Sequence, residues 1–216
     1  VVIAYDSRNN SKAFAECAAE VLCYNGIKTF LFEEIMPTPV LSFSVKYLNC
    51  NAGIVITASH NPKEYNGYKV YDKYGCQLVP QYADKVISYI NNVKDIKSVK
   101  HMNLNMALSN GYLTYIGDEV LNSYISEVEK MAVYKEASDL KIVYTPLHGT
   151  GNIPVRKVLS DMSFDVSVVN EQAVADGNFT TVRSPNPEEK DALNMALEQA
   201  KSANADLVIG TDPDCD

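Results

Sequence analysis

The chain has 216 residues, of which 46% are hydrophobic and 21% charged, and its formal net charge is −8. This composition is typical of a globular protein with enough apolar material for one or two domain cores. The acidic balance argues against a non-specific binder of nucleic acid or anionic membranes, because such binding needs basic patches. An anionic substrate would therefore have to be held by a few placed cations or a metal ion.

The five cysteines are scattered, with neither a CxxC pair nor a zinc-like spacing to the three histidines. This usage predicts free thiols in a reducing compartment, and we expect a cytoplasmic protein. No apolar run has the length of a transmembrane helix, and no signal peptide is visible. The chain opens in a strand-like run and stops inside an acidic loop, so we expect both ends to be cut.

Residues 1–93 alternate between the patterns of buried strands and amphipathic helices. Continuous apolar runs predict four strands, at residues 1–5, 29–32, 53–57 and 68–71. Ser11 is a candidate N-cap for the first helix, which Gly26 closes. The predicted apolar face of this helix consists of Phe14, Cys17, Ala18, Val21 and Leu22. Two more helices are predicted to begin at Thr38 and Pro80, each with a proline in its first turn.

Residues 94–120 lose this periodicity, and we place a domain boundary there, between residues 117 and 118. Beyond it, the patterns predict helices at 119–131 and 153–162, a third helix from Pro187, and strands at 140–145, 164–169 and 205–209. Strands that alternate with helices predict mainly parallel sheets covered on both faces. The expected fold class is α/β, with two similar three-layer α/β/α domains, residues 1–117 and 118–216, that contain mixed, mainly parallel sheets.

Three aspartates alternate in a short loop after the last predicted strand: Asp212, Asp214 and Asp216. In open α/β sheets, ligands gather at the carboxyl ends of strands. Carboxylates this close repel one another, and a hard divalent cation such as Mg²⁺ would relieve the repulsion. An acidic surface turn would have the same sequence. A strand that ends in DxD could also be the nucleophile loop of an aspartyl-phosphate phosphatase.

The strand predicted at 53–57 leads into a second polar loop, in which His60 follows Ser59. Adjacent serine and histidine rarely reach the geometry of a hydrolase pair, and there is no GxSxG elbow. Taken alone, Ser59 is interpreted as a turn hydroxyl and His60 as a loop histidine. By the same reasoning, Arg8 alone would be a solvated surface arginine, and Lys69 a solvated lysine at a strand edge.

In combination, these loops resemble the alpha-D-phosphohexomutase superfamily of phosphoglucomutases and phosphomannomutases. TASHNP at residues 57–62, followed by NGYK at 66–69, closely resembles the phosphoserine loop of that superfamily. DPDCD at 212–216 resembles its metal loop, and YDSR at 5–8 its arginine loop. The motifs occur in the expected order across about the whole chain. YTPLHGTG at 144–151 and SPNPEE at 184–189 are more similar to the phosphoglucomutase and phosphopentomutase branch.

The resemblance implies that Ser59 carries the phosphoryl group. It also implies that Ser59 and the three loop aspartates, Asp212, Asp214 and Asp216, hold one Mg²⁺ ion per active site. Such an ion would neutralise charge as phosphorus is transferred.

Roles for further side chains follow from the same resemblance. Lys69 would be the general acid/base for the sugar hydroxyl, provided that its neighbours depress its pKa. Arg8 would stabilise the charge of the phosphoserine, and His60 would line the same loop. His148 and its neighbouring glycines either form a wall of the site or simply belong to a tight strand-to-helix turn.

The implied enzyme is a phosphoglucomutase-type isomerase that interconverts hexose 1-phosphate and hexose 6-phosphate through a hexose 1,6-bisphosphate. Phosphomannomutase and phosphopentomutase activity are alternatives within the superfamily. A metal-dependent sugar-phosphate phosphatase and a non-catalytic sugar-phosphate binder are alternatives outside that reaction. We expect hexose phosphates as partners, and neither nucleic acid nor membrane. The superfamily's usual N-terminal segment and its domains III and IV are not found in the sequence, so we expect these 216 residues alone to be inactive.

Overall fold

The computed structural model describes residues 1–133 and 139–216, which form two β-sheets flanked by helices. The first sheet contains β1 (Val2–Tyr5), β2 (Thr29–Phe32), β3 (Gly53–Ile56), β4 (Tyr68–Tyr71) and β5 (Leu113–Ile116). The second sheet contains β6 (Lys141–Thr145), β7 (Asp165–Val168) and β8 (Leu207–Gly210). The helices are α1 (Ser11–Tyr24), α2 (Thr38–Tyr47), α3 (Pro80–Asn91), α4 (Leu104–Ser109), α5 (Asp118–Lys130), α6 (Asn152–Asp161), α7 (Asn170–Ala173) and α8 (Asn194–Ala203).

Both sheets are mainly parallel. The strand order of the first sheet is β4-β3-β1-β2-β5, and only β4 among these strands runs antiparallel to its neighbour. The order of the second is β7-β6-β8, with both pairings parallel. The predicted fold class, α/β with mixed, mainly parallel sheets, is therefore confirmed.

The first sheet is covered on both faces because alternate residues of its strands point in opposite directions. From β1, Val2 and Ala4 pack with buried residues of α2 and α5, whereas Ile3 and Tyr5 pack with those of α1 and α4. In the second sheet, Val143 of β6 packs against α8. The carboxyl ends of the strands are thereby left free of helices, and the polar loops emerge there.

The buried face of α1 agrees only in part with the predicted one, of which Ala18 and Leu22 are partly buried against the core. The residues it buries are small, with Ala15, Ala19 and Cys23 against the sheet, whereas Phe14 is 49% exposed. Small side chains let the helix axis approach the strands closely, so the largest apolar residue of α1 is not its core residue. Ser11 is the first helical residue rather than the cap, which is Asn10.

Residues 94–120, where the sequence loses its periodicity, contain regular structure that was not predicted. This stretch contains α4 and the edge strand β5, which pairs in parallel with β2. The signal was weak because Leu113 alone of the four residues of β5 is fully buried. Helix α5, which follows, packs its buried residues Val120, Leu121 and Ile125 into the same core as α2.

The helix predicted from Pro187 begins later. Asn186 accepts a hydrogen bond from the Glu188 N–H through its side chain, at 3.0 Å, and one from the Glu189 N–H through its carbonyl, also at 3.0 Å. This turn postpones the helix. A 3₁₀ turn at Lys190–Leu193 then leads into α8.

The sequence predicted free thiols and no transmembrane helix. All five cysteines lie within the described residues, and each is a free thiol. None of the helices that the structure describes has the length and apolar character needed to cross a membrane.

Candidate active site

The candidate site lies where the carboxyl ends of the two sheets face each other. Ser59 follows β3, Arg8 follows β1, and the loop of three aspartates follows β8. Lys69 lies on β4 directly beside Val55 of β3, because these two strands pair antiparallel. The structure therefore brings together loops that the sequence singled out, with Lys69 and Asp214 in contact across 145 positions of the chain.

Ser59 is held in an uncommon backbone conformation. Its φ angle is 49°, in the left-handed region that a non-glycine residue occupies at a cost. Its N–H donates to Thr57 Oγ1 at 2.9 Å, and its own hydroxyl donates to Asp214 Oδ2 at 3.1 Å. The tight turn therefore directs the serine hydroxyl from the first sheet toward the aspartate loop of the second.

Lys69 joins the serine and the aspartate. Its Nζ donates to Ser59 Oγ at 2.6 Å and to Asp214 Oδ2 at 2.8 Å. Burial lowers the pKa of Lys69, but the hydrogen bond and charge of Asp214 outweigh it, so the pKa lies above its ordinary value. The condition set from the sequence, that neighbours depress this pKa, is not met in this arrangement. Lys69 is a protonated donor to Ser59 here.

The three loop aspartates converge on one point. One carboxylate oxygen from each of Asp212, Asp214 and Asp216 lies within 4.8 Å of the others. Burial and the charge of Asp214 raise the pKa of Asp212 to about 7. Burial alone would raise the pKa of Asp214. The hydrogen bond and positive charge of Lys69 have the larger effect, so the pKa of Asp214 lies below its usual value.

Two buried oxygens of this cluster support a cation site. Among the described residues, neither Asp212 Oδ2 nor Asp214 Oδ1 has a hydrogen-bond partner. A buried carboxylate oxygen without a donor is costly. An all-oxygen donor set suits Mg²⁺, which accepts several further oxygen ligands. The residues present therefore fit a hard divalent cation.

The aspartate loop is fixed to both halves of the chain. The carbonyl oxygen of Asp214 accepts hydrogen bonds from the N–H and the hydroxyl of Thr38, at 3.1 and 3.2 Å. On its other side, Thr150 donates its N–H and hydroxyl to the carbonyl oxygen of Pro213, both at 3.0 Å. Gly149 permits this packing, because a Cβ there would lie 2.6 Å from Pro213 Cα.

Arg8 is buried beneath the serine loop rather than exposed on the surface. Its two terminal nitrogens donate to four carbonyl oxygens of that loop, at 2.5–3.1 Å: those of Ser59, Asn61, Pro62 and Tyr65. Its Nε lies 3.2 Å from Asp6 Oδ2. The guanidinium therefore shapes the backbone of the loop, and its hydrogen bonds go to main-chain oxygens rather than to Ser59 Oγ.

The two histidines singled out from the sequence have different surroundings. His60 is half-exposed, with Nδ1 3.8 Å from Asp212 Oδ2 at the rim of the cluster. His148 is buried, and its ring nitrogens contact the carbonyl oxygen of Val174 at 2.8 Å and Thr181 Oγ1 at 2.7 Å. The geometry of His148 therefore favours the structural interpretation of that turn over a wall of the site.

Sequence reasoning missed two threonines of the site, Thr38 and Thr57. Both are buried and both contact Asp214. Thr57 belongs to the TASHNP motif, but threonine at the end of a strand is common, so the residue type gave little signal. Thr38 was predicted only as the start of a helix.

Comparison with known proteins agrees with this fold. The family model described as "Phosphoglucomutase/phosphomannomutase, alpha/beta/alpha domain I" matches residues 1–97, and that of "domain II" matches residues 122–216. The fold and site define a two-sheet α/β protein of the phosphohexomutase type. The chain belongs to the phosphoglucomutase/phosphomannomutase family.

Several curated relatives match the full chain. It is 43% identical to "Phosphoglucomutase" of Staphylococcus haemolyticus and 40% identical to "Phosphoglucomutase" of Staphylococcus saprophyticus, covering 100% of this chain and 39% of each relative. It is 40% identical to "Probable phosphomannomutase" of Haemophilus influenzae, with 100% of this chain and 44% of that protein covered. The chain thus spans about two fifths of the length of these relatives.

Solved structures share the fold. The crystal structure of a "putative phosphomannomutase" from Thermus thermophilus superposes with a TM-score of 0.81 at 23% identity, over 99% of this chain and 46% of that one. A "Phosphoglucomutase/phosphomannomutase family protein" from Burkholderia thailandensis gives a TM-score of 0.76 at 20% identity, over 99% and 44%. At such identities the likeness concerns the fold alone.

Proposed function

We propose that this chain carries the phosphoserine and the metal loop of a phosphoglucomutase-type enzyme. The observation that carries the proposal is the contact of Ser59 Oγ with Lys69 Nζ at 2.6 Å and with Asp214 Oδ2 at 3.1 Å. A nucleophilic oxygen, a cation and a metal-ligating carboxylate are the parts that phosphoryl transfer needs. We assign residues 1–117 to a phosphoserine-bearing domain and residues 118–216 to a metal-loop-bearing domain.

In the proposed reaction, Ser59 transfers its phosphoryl group to a hydroxyl oxygen of the sugar. The bond between phosphorus and Ser59 Oγ breaks as the bond from phosphorus to the sugar oxygen forms. Protonated Lys69 gives a proton to the departing Oγ and recovers one from the sugar hydroxyl, so that charge and protons balance. The reverse transfer from the other phosphate of the bisphosphate regenerates phosphorylated Ser59.

Asp212, Asp214 and Asp216, together with phosphorylated Ser59, would hold one Mg²⁺ ion. When bound, that ion would neutralise charge on the transferring phosphoryl group. Within residues 1–133 and 139–216, the buried oxygens Asp212 Oδ2 and Asp214 Oδ1 have no hydrogen-bond partner, which supports this assignment.

The remaining candidate residues act around this centre. The Arg8 guanidinium donates hydrogen bonds to the carbonyl oxygens of the serine loop and so fixes its backbone. The positive charge of Arg8 would therefore lie near phosphorylated Ser59 without a direct ion pair to the phosphoryl group. His60 would line the serine loop at the rim of the aspartate cluster, with Nδ1 3.8 Å from Asp212 Oδ2.

The proposed substrates are hexose 1- and 6-phosphates with hexose 1,6-bisphosphate as the intermediate. Relatives named as phosphoglucomutase favour glucose, whereas the relative named as phosphomannomutase keeps mannose as the alternative within the same chemistry. Phosphopentomutase activity is a further alternative within the same chemistry. The acidic net charge of the chain disfavours nucleic acid as a partner.

The experiment uses the full-length protein with glucose 1-phosphate, Mg²⁺ and glucose 1,6-bisphosphate in a coupled assay. Peptide mass spectrometry should show phosphate on Ser59, and Ser59→Ala should abolish turnover. Full activity of Ser59→Ala would overturn the mechanism. Release of inorganic phosphate in place of isomerisation would instead identify a sugar-phosphate phosphatase.

A further inference from the structure

The hydroxyl of Thr57, like that of Ser59, joins the serine loop to the aspartate loop. Thr57 directly follows β3 and is 1% exposed. Its Oγ1 accepts the N–H of Ser59 at 2.9 Å and donates to Asp214 Oδ2 at 3.1 Å. A hydroxyl carries one proton and two lone pairs, so it can fill both roles at once.

We propose that Thr57 is a positioning residue that orients the carboxylate of Asp214 for the metal ion. The two oxygens of this carboxylate have different surroundings. Oδ2 accepts hydrogen bonds from Thr57, Ser59 and Lys69, whereas Oδ1 is buried and without a partner in the described part of the chain. The donors on Oδ2 fix the rotation of the carboxylate and leave Oδ1 for the cation. This inference rests on the metal site of the proposed function.

Thr57 differs from the other two donors because it takes no part in the reaction. Ser59 loses its hydroxyl proton when it is phosphorylated, so it can no longer donate to Asp214. Lys69 gives up a proton during transfer in the proposed mechanism. The Thr57 hydroxyl is unchanged in every state, and it therefore holds Asp214 when the other donors change.

The Thr57 hydroxyl also fixes the backbone of Ser59, the proposed nucleophile. Ser59 has its φ angle at 49°, and its N–H is engaged by Thr57 Oγ1. Hydrogen-bond partners of metal-ligating groups orient those groups, and their loss lowers metal affinity or activity about 10–100-fold. Removal of this one hydroxyl should therefore affect both metal affinity and turnover while the sugar phosphate binds as before.

The test compares Thr57→Val, which keeps the shape and removes the hydroxyl, with Thr57→Ser, which keeps the hydroxyl. Mn²⁺, as a probe for the divalent ion, is titrated into the chain and followed by electron paramagnetic resonance. Activity against Mg²⁺ concentration and the KM for glucose 1-phosphate are measured in the full-length protein. Thr57→Val should weaken Mn²⁺ binding and raise the Mg²⁺ half-saturation by about tenfold or more, whereas Thr57→Ser stays within about twofold of the parent.

Thr29→Val is the matched control. Thr29 is also buried on the first sheet, but it is the first residue of β2, at the end of the parallel strands opposite to the site, and it donates to the carbonyl oxygen of Ile27. Removal of the Thr29 hydroxyl should leave Mn²⁺ binding unchanged. If Thr57→Val does not fold, Thr57→Ala removes the same hydroxyl with less bulk and replaces it in the comparison.

The outcomes separate the two claims. If the parent chain binds no Mn²⁺ and the full-length protein needs no divalent ion, the metal site of the proposed function is wrong and the role of Thr57 is wrong with it. If the parent binds Mn²⁺ and folded Thr57→Val binds it equally well, only the positioning role is overturned. An equal rise in the KM for glucose 1-phosphate would also overturn it, because that would indicate general disruption of the fold.

Discussion

Thr38, the first residue of α2, holds the main chain of Asp214 through two hydrogen bonds, at 3.1 Å from its N–H and 3.2 Å from its hydroxyl. The two residues are 176 positions apart in sequence. This contact ties the helix layer of the first sheet to the aspartate loop that follows the second sheet.

Thr38→Val should loosen this junction. Valine has the same shape but lacks the hydroxyl, so the carbonyl oxygen of Asp214 keeps only the N–H donor. A hydrogen bond of this kind contributes about 0.5–1.5 kcal/mol, and we expect a loss of that size in the free energy of unfolding, with weaker Mn²⁺ binding. Urea denaturation and metal titration measure both. An unchanged midpoint and unchanged binding would show that the hydroxyl has no part in the junction.

The backbone strain at Ser59 can be separated from its hydroxyl. Ser59→Gly and Ser59→Ala both remove the hydroxyl, but only glycine adopts a φ of 49° without a steric penalty. The glycine variant should therefore be more stable than the alanine variant by about 1 kcal/mol in urea denaturation. Equal stabilities, or a more stable alanine variant, would argue that the turn is not strained.

Lys69→Met should lower turnover while it leaves the fold intact. Methionine keeps much of the apolar stem but cannot supply the proton that Lys69 holds beside Ser59 Oγ. We expect kcat to fall by about a hundredfold or more in the full-length protein. Lys157→Met, which removes an exposed lysine paired with Asp161, is the control and should leave kcat unchanged. Comparable activity of both variants would contradict the proton-transfer role.

The sequence predicted four of the five strands of the first sheet and missed one of its two edge strands, β5. The strands at 29–32 and 68–71 have the bounds that the apolar runs predicted. β5 was missed because Thr114 and Tyr115 face solvent at the end of the sheet, so no apolar run marks the strand. Strand β4 lies at the other edge of the sheet and is also partly exposed, but its aromatic and apolar residues Tyr68, Val70 and Tyr71 marked it in the sequence.

The positions of the site residues were more predictable than their electrostatics. Unusual polar residues after predicted strands drew attention to Ser59 and the aspartates, and the resemblance of their loops to the phosphohexomutase superfamily implied their roles. The raised pKa of Lys69 could not, because it arises from a 2.8 Å contact with Asp214, which is 145 positions away in sequence. The role of Arg8 in shaping the loop likewise depends on main-chain oxygens, which any residue type supplies.

Gly149→Ala tests whether the turn after β6 sets the position of the aspartate loop. A Cβ at residue 149 would lie 2.6 Å from Pro213 Cα and 2.7 Å from the carbonyl oxygen of Asp212, both main-chain atoms that cannot rotate away. The loop must therefore shift, and we expect destabilisation of about 1–3 kcal/mol together with weaker Mn²⁺ binding. Gly117→Ala is the control, because the nearest atom to its Cβ would be 3.9 Å away. If Gly149→Ala binds Mn²⁺ as tightly as Gly117→Ala, the aspartate loop does not depend on this close approach, and its position must be set from the side of Thr38 alone.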